Sequence, residues 1–390
     1  MEMPATKPDA TAGADAKPIP SPLAGVYSNA GARMGVWFGC ALPDDFGDPA
    51  AEYRFANQTV ALEDKNYRTF LNFTGPDRVR YLNAILTNNI KDLAAGQGTV
   101  SLLLNPQGHI LAEMETYALT DHHLCISYAM IREQLVEWMD KYIIMDDVAL
   151  ADETERWGTL ALEGPKAVAI VKELAGVDLH QLKELSSVDA RLLPAHPAAA
   201  PAAEEGAPPA VSQVPCRVVK RSPGGVAGAE LAVERYHLQT LWQILLEAAR
   251  KHGGGPAGYT ALSGQRLAQG VPWFGYDFGE KQIPHEAGLE NSHISYTKGC
   301  YTGQEIVERV RSRGHVNRRR VSLHFSGDDI PEPGVPLTAG DGKEVGSVTR
   351  AARVWDPPRI IGMGYVRKDA DAPGTDLYWS GGTATIIRRP

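Results

Sequence analysis

A strand, a Gly-Pro turn and a helix occur in that order twice in this chain, the two prolines eighty-nine residues apart. That repeat restricts the fold more than any other feature of the sequence. In the first copy Arg68 to Phe73 reads as a strand, Thr74-Gly75-Pro76 opens a helix, and Val79, Leu82, Leu86, Ile90 and Leu93 follow at helical spacing. Proline suits the first helical turn, because the amide it lacks would have no partner there. In the second copy Thr159 to Glu163 is the strand, Gly164-Pro165 the turn, and Val168, Val171 and Leu174 mark the helix. Such a unit buries only one face, so two of them predict two related α+β layers built from alternating strands and helices.

The segments between and around the repeats extend this plan. Thr99 to Leu104 and Ile110 to Leu119 flank Asn105-Pro106-Gln107-Gly108, a turn with proline second and glycine fourth, which predicts a hairpin. Leu124 to Tyr128 is a further strand. Helices are expected through Ile131, Leu135, Trp138, Met139 and Tyr142, and through Leu238, Leu241, Leu245 and Ala248. Beyond Val316 the pattern changes to short strands with Gly and Pro turns: Val321 to Phe325, Val345 to Thr349, Ile360 to Val366 and Thr383 to Ile387. This predicts a terminal β-barrel of about 70 residues. Residues 1–22 hold five prolines and five alanines and read as a disordered tail, while from 194 to 212 thirteen of nineteen residues are Pro or Ala, the composition of an inserted loop between two strands. The expected organisation is therefore a tail at 1–22, an α+β region at 23–315 carrying the 194–212 insertion, and a barrel at 316–390.

Charge and cysteine usage exclude several classes. The formal charge of -8 argues against general attraction to nucleic acid or anionic lipid, so any anion site must be local. The four cysteines, at 40, 125, 216 and 300, never form C-x-x-C, so zinc ribbons and redox pairs have no support, no stable metal or cluster is expected on the monomer, and a reducing cytosol is the natural compartment. No apolar run is long enough for export or membrane insertion. Nor does any Gly-rich phosphate loop, H-E-x-x-H or G-x-S-x-G occur, which leaves dehydrogenase, NTPase, zincin and serine hydrolase readings without a basis.

One segment concentrates the chemistry: Lys298-Gly299-Cys300-Tyr301-Thr302-Gly303-Gln304-Glu305. Thr302 and Glu305 have the spacing of a capping box, which puts Cys300 just ahead of a helix start. There the helix dipole and the Lys298 ammonium both favour a thiolate. The alternative is that Cys300 is a small packing residue and only the cap matters. Six arginines follow within twelve residues, from Arg309 and Arg311 to Arg320. They are either a local site for phosphates, RNA or a run of carboxylates, or a charged hinge paired with nearby acids. Trp273, Phe274 and Tyr276 lie in a Gly/Pro-rich loop, where they either stack on a flat ligand or fill the core. His285 has no visible partner and reads as structural.

Leu104 to Gly108, Gly270 to Gly275, Pro284 with Glu286 to Leu289, and above all Lys298 to Glu305 resemble the YgfZ-type folate-binding proteins, which share a superfamily with the T-protein of the glycine cleavage system. The resemblance covers roughly residues 60 to 370. It implies a three-domain T-protein-like architecture, with two interleaved α/β domains around a central tetrahydrofolate hole and a C-terminal antiparallel β-barrel. It implies a role in maintaining iron-sulfur enzymes, including those that thiolate tRNA, with Cys300 and Lys298 as the reactive pair. On the same basis Asn105, Glu113, Trp273, Phe274, Tyr301, Gln304, Glu305, Arg309 and Arg311 become candidates for holding folate, Arg309 and Arg311 for its polyglutamate tail.

Two positions depart from the aminomethyltransferase branch. Its paired aspartates after the hairpin match Ala112-Glu113, and the acid of its Gly-Glu-x-Gly segment matches Val226. Aminomethyl transfer or demethylation is therefore the alternative reading and catalysis is left open, with Glu113 either a stand-in acid or an ordinary strand residue. A third reading is a non-catalytic adaptor that binds RNA or protein through the arginines.

Overall fold

The computed structural model describes residues 17–192, 213–314 and 316–389. Two sheets carry the repeat, antiparallel except where the edge strand Gly255–Pro256 runs parallel to Ala61–Asp64. The first strand copy, Arg68–Thr74, lies in a five-stranded sheet ordered Gly98–Leu104, Ile110–Ala118, His123–Tyr128, Arg68–Thr74, Ala149–Asp152. The second, Trp157–Glu163, lies in a six-stranded sheet ordered Ser187–Leu192, Val214–Lys220, Gly228–Glu234, Trp157–Glu163, Ala61–Asp64, Gly255–Pro256. Because Ala61–Asp64 joins the second sheet before the chain builds the first, the two layers are interleaved.

The two turns of the repeat share one backbone device. Gly75 and Gly164 have φ of +94° and +136°, and a Cβ at either would collide with the carbonyl of Asp147 or Thr59, so only glycine lets strand and helix meet this closely. The helices that follow, Arg78–Ile85 and Ala167–Ala175, pack apolar faces on their sheets. The first helix is shorter than the spacing through Leu93 predicts. Leu86 turns extended and bridges Leu103, while the Lys298 ammonium takes the carbonyls of Asn83 (2.5 Å), Leu86 and Asn88 (3.0 Å), which ends the helix.

Inner faces of the sheets meet through Phe70, Tyr117, Leu124, Ile126, Val219 and Ala232. Helices Ala167–Ala175 and Leu238–Lys251 cover the outer face of the six-stranded sheet. At the C-terminus six strands close into an antiparallel barrel, Arg318–Phe325, Pro358–Arg367, Glu344–Trp355, Pro336–Thr338, Asp376–Trp379 and Gly382–Arg388. Four of these contain the expected strands, and the other two are short. Residues 1–16 and the Pro/Ala-rich 194–212 lie outside the described residues, but the strands flanking the latter pair directly, Leu192 opposite Val214. Ile19 and Pro20, within the segment read as a tail, pair with Cys40 and Ala41. Among the described residues no helix is long and apolar enough to cross a membrane.

Candidate active site

A cavity of about 370 Å³ opens where both sheets meet the helix Tyr259–Gln269 and the loops after it. The five-stranded sheet contributes Arg68, Glu113 and Tyr128, the six-stranded sheet Glu63, Glu163 and Glu230, the helix Gln265 and Arg266, and the loops Trp273 and His293. On the strand Ile110–Ala118, Ile110, Ala112 and Met114 enter the apolar core, so the pleat turns Glu113 and Glu115 to the other face. Glu113 accepts the Tyr128 hydroxyl at 2.6 Å and lies 3.0 Å from His293 Nε2, whose Nδ1 is 2.7 Å from Ser292 Oγ. Burial pushes the Glu113 carboxyl up, but the hydrogen bonds from His293 and Tyr128 and the Arg221 charge together hold it below the ordinary carboxylate range.

Behind Glu113 lies a buried charge ladder. Arg68 bridges Glu115 at 3.1 Å and Glu230 at 2.6 Å, and Arg221 reaches Glu115 at 3.1 Å. Burial opposes ionisation of Glu115, but these two guanidiniums outweigh it and bring its carboxyl down to about 2. Glu63 is the opposite case. Burial and the neighbouring Glu163 push its carboxyl up to about 8 in spite of Lys65 at 2.7 Å.

Several polar groups on this wall lack partners: Glu63 Oε1, Arg68 Nε, Gln265 Nε2, and Arg266 Nε and Nη2. Buried donors and acceptors are ordinarily satisfied. Here an acceptor and several donors are left over beside the half-buried Trp273, whose ring carries the Arg266 guanidinium at 4.5 Å. A flat heterocycle with a donor-acceptor edge, such as a pterin, fits that set.

Of the residues singled out from sequence, Glu113, Trp273 and, from the arginine cluster, Arg320 line this cavity, while Asn105, Phe274, Lys298, Cys300, Tyr301, Gln304, Glu305, Arg309 and Arg311 do not. Phe274 is buried between Tyr128 and Phe278, and Tyr276 packs on Trp37 and Phe38. Asn105 shapes the hairpin tip, accepting the amides of Gln107 and His109 through Oδ1 at 3.0 and 2.9 Å. Val226 is not part of the cavity wall, though Gly224 and Glu230 beside it are.

The motif Lys298 to Glu305 forms a surface feature next to that hairpin. Cys300 is exposed, whereas Cys40, Cys125 and Cys216 are buried and burial raises each of their thiols to about 12. The expected capping box is absent. The helix begins at Gln304 with Gly303 as its N-cap at φ +81°, with no side-chain cap, and Glu305 pairs with Arg309 at 2.6 Å. The cause is a close approach: Gly303 lies against the Asn105 carbonyl and Leu104, and Gly108 lies against Ile306, so the helix opens one residue later than a Thr302 cap requires. Lys298 is held by the three carbonyls at the end of the first repeat helix, over the Tyr301 ring at 5.2 Å. Tyr301 is buried.

The described arginines of the cluster do not form one patch. Arg309 pairs with Glu305, Arg311 lies near Glu308 at 3.6 Å and over Tyr296 at 4.0 Å, and Arg318 pairs with Glu286 at 3.1 Å. Arg320 alone among them reaches the central cavity, donating to the Ala287 carbonyl at 2.8 Å. A helix and a strand with different faces carry them, which sequence proximity conceals. Sequence reading missed His293, Arg68, Arg221 and Glu63. A signal existed for part of the set: Glu113 and Glu115 recur at period two inside an otherwise apolar strand, and buried acids need buried cations. Among the described residues no three His, Cys, Asp or Glu side chains are grouped to hold a metal.

Comparison with known proteins agrees with this geometry. Residues 23–201 and 202–294 match the model of the GCVT N-terminal domain, and residues 318–385 that of the glycine cleavage T-protein C-terminal barrel domain. An aminomethyltransferase of Streptomyces avermitilis is 26% identical over 356 residues, covering 90% of each chain. Another, from Caldanaerobacter subterraneus subsp. tengcongensis, is 26% identical over 84% of this chain and 83% of its own. The crystal structure of glycine cleavage system aminomethyltransferase T from Bartonella henselae superposes with a TM-score of 0.81 at 20% identity, covering 95% of this chain and 96% of that one, and so shares its fold. The repeat, the interleaved layers, the closed barrel and both domain matches show that this chain belongs to the glycine cleavage T-protein family.

Proposed function

We propose that this chain binds tetrahydrofolate in the central cavity and carries out one-carbon transfer of the aminomethyltransferase type. One observation carries the reading: the strand pleat turns Glu113 into the cavity and Ala112 into the core. The alanine at the first aspartate position therefore does not remove the carboxylate from the site, because the acid that faces the cavity is the second of the pair. Relatives named aminomethyltransferase along nearly the whole chain favour the same reading. Bound tetrahydrofolate supplies the amine that accepts the one-carbon unit. The Trp273 ring, Gln265 and Arg266 would hold the pterin, the Glu113 carboxylate would accept a proton or orient the amine, and His293 and Tyr128 would keep it ionised. The expected domain plan remains a cavity-bearing unit at 23–315 and a barrel at 316–390, in a cytosolic protein.

Purified full-length protein given tetrahydrofolate and an aminomethyl donor should release ammonia and form 5,10-methylenetetrahydrofolate. Glu113→Gln should slow this by roughly 10²- to 10⁴-fold, the ordinary worth of a positioned acid or base. Folate binding without turnover would overturn the transferase reading. A second reading, support of iron-sulfur enzymes as in the YgfZ-type proteins, rests on Cys300 as the exposed thiol among the four cysteines. It predicts that Cys300→Ser abolishes support of client enzymes in cells while leaving folate binding intact.

A further inference from the structure

The wall of the central cavity has a second side. Along the loop 288–293, Gly288, Leu289, Ser292 and His293 line the central cavity, while Glu290 and Asn291 between them line a separate cavity of about 280 Å³. The first barrel strand does the same, with Arg320 facing the central cavity and Arg319 the other, as alternation along a strand requires. The two cavities share no lining residue. His285 and Tyr296 also line the smaller one, and Val310 and Val316 give it an apolar wall.

This small cavity holds opposite charges that do not meet. Glu290 Oε2 and His285 Nδ1 are buried and have no hydrogen-bond partner. Arg319 makes no ion pair or side-chain hydrogen bond with any described residue. Arg311 is already committed to Glu308 and to the Tyr296 ring. His285 contacts the Tyr296 hydroxyl through Nε2 at 3.2 Å, and burial lowers its pKa, so it adds no cation at neutral pH. What remains is one free guanidinium and one free carboxylate facing a shared space.

We propose that this cavity is a binding site for a small zwitterion of the α-amino-acid class, with Arg319 taking the carboxylate and Glu290 the ammonium. A simple anion would be drawn by Arg319 but repelled by Glu290, and a simple cation the reverse, so a ligand bearing both charges is the one that satisfies both groups. The volume lies just below the range of about 300 to 1,000 Å³ typical of drug-sized ligands, which suits a few-atom molecule and excludes a folate. Val310 and Val316 favour a short apolar side chain.

Calorimetric titration of the full chain with L-alanine, and in parallel with acetate and methylamine, tests this directly. Alanine should bind saturably at one site, and each half-ligand should bind roughly tenfold more weakly or worse, the loss expected from one missing charge-assisted contact. Arg319→Gln and Glu290→Gln should each weaken alanine by a similar factor while thermal melting stays unchanged. The half-ligand comparison uses the unaltered protein, so it decides the matter even if a variant folds poorly. Absence of saturable alanine binding, equal binding of acetate or methylamine, or two well-folded variants with unchanged affinity would each overturn the proposal. Tetrahydrofolate affinity reads the other cavity, so failure here and failure of the one-carbon reading are separate results.

Discussion

Ala112 and Glu113 are adjacent in sequence but belong to different environments, and that divergence carries most of the functional argument. The acid was legible from the chain as a candidate. Its direction was not, because direction depends on strand register. Glu63 and Glu113 also titrate oppositely for physical reasons that the sequence does not show. Glu113, held below its ordinary range by His293 and Tyr128, contributes stability above its unfolded pKa and loses it as pH falls through the folded value. Glu63, raised to about 8 by burial and Glu163, contributes stability below its unfolded pKa and loses it as pH rises through about 8. Urea unfolding of Glu63→Gln beside wild type should therefore shift in the variant's favour as pH rises from about 4.5 to about 8, by at most about 1.4 kcal/mol per pH unit, and level off above that. A pH-independent difference would show that Glu63 is ionised throughout. Lys298 is a residue-scale case of another kind. Its motif suggests chemistry, but its ammonium caps three carbonyls, so Lys298→Ala should cost on the order of 3 kcal/mol in denaturant melts, far more than an exposed lysine would.

Among the elements, the helix Gln304–Arg313 shows how a correct local pattern can yield to packing. Thr302 and Glu305 satisfy the capping-box spacing, yet Gly303 in the left-handed region opens the helix because the hairpin tip at Asn105 presses on it. No local signal predicts that contact, since the two segments are some two hundred residues apart in the chain. The consequence is measurable by thermal or urea melting. Thr302→Ala should change stability by no more than about 0.5 kcal/mol, whereas Gly303→Ala, strained by its φ and by a Cβ 2.7 Å from the Asn105 carbonyl, should cost about 1 to 3 kcal/mol. The opposite ranking would restore the capping box. The segment leading into this helix exposes Cys300, so a thiol reagent applied to the native protein should label it rapidly and reach Cys40, Cys125 and Cys216 only on unfolding. Rapid labelling of two or more thiols in the native state would contradict that exposure pattern.

At the scale of the whole molecule, the strand, Gly-Pro, helix repeat and the change to short strands after Val316 foretold the layers and the barrel, because both are periodic and local. The cavity is neither. Glu63, Glu113, Glu230 and His293 come from four distant segments and meet only because the strand Ala61–Asp64 joins one sheet before the chain builds the other. Proximity in sequence misled for the same reason: the arginines after Val307 look like one site but divide between a helix and a barrel strand. The central claim is that tetrahydrofolate lies in this cavity against Trp273 and Glu113, and its most direct test is calorimetric titration of tetrahydrofolate into wild type, Trp273→Ala, Glu113→Ala and Arg309→Ala. One-site binding should be weakened roughly tenfold or more in the first two variants, as the loss of a stacking or charge-assisted contact requires, and unchanged in Arg309→Ala. Binding that is indifferent to Trp273 and Glu113, or that depends on Arg309 instead, would contradict this account.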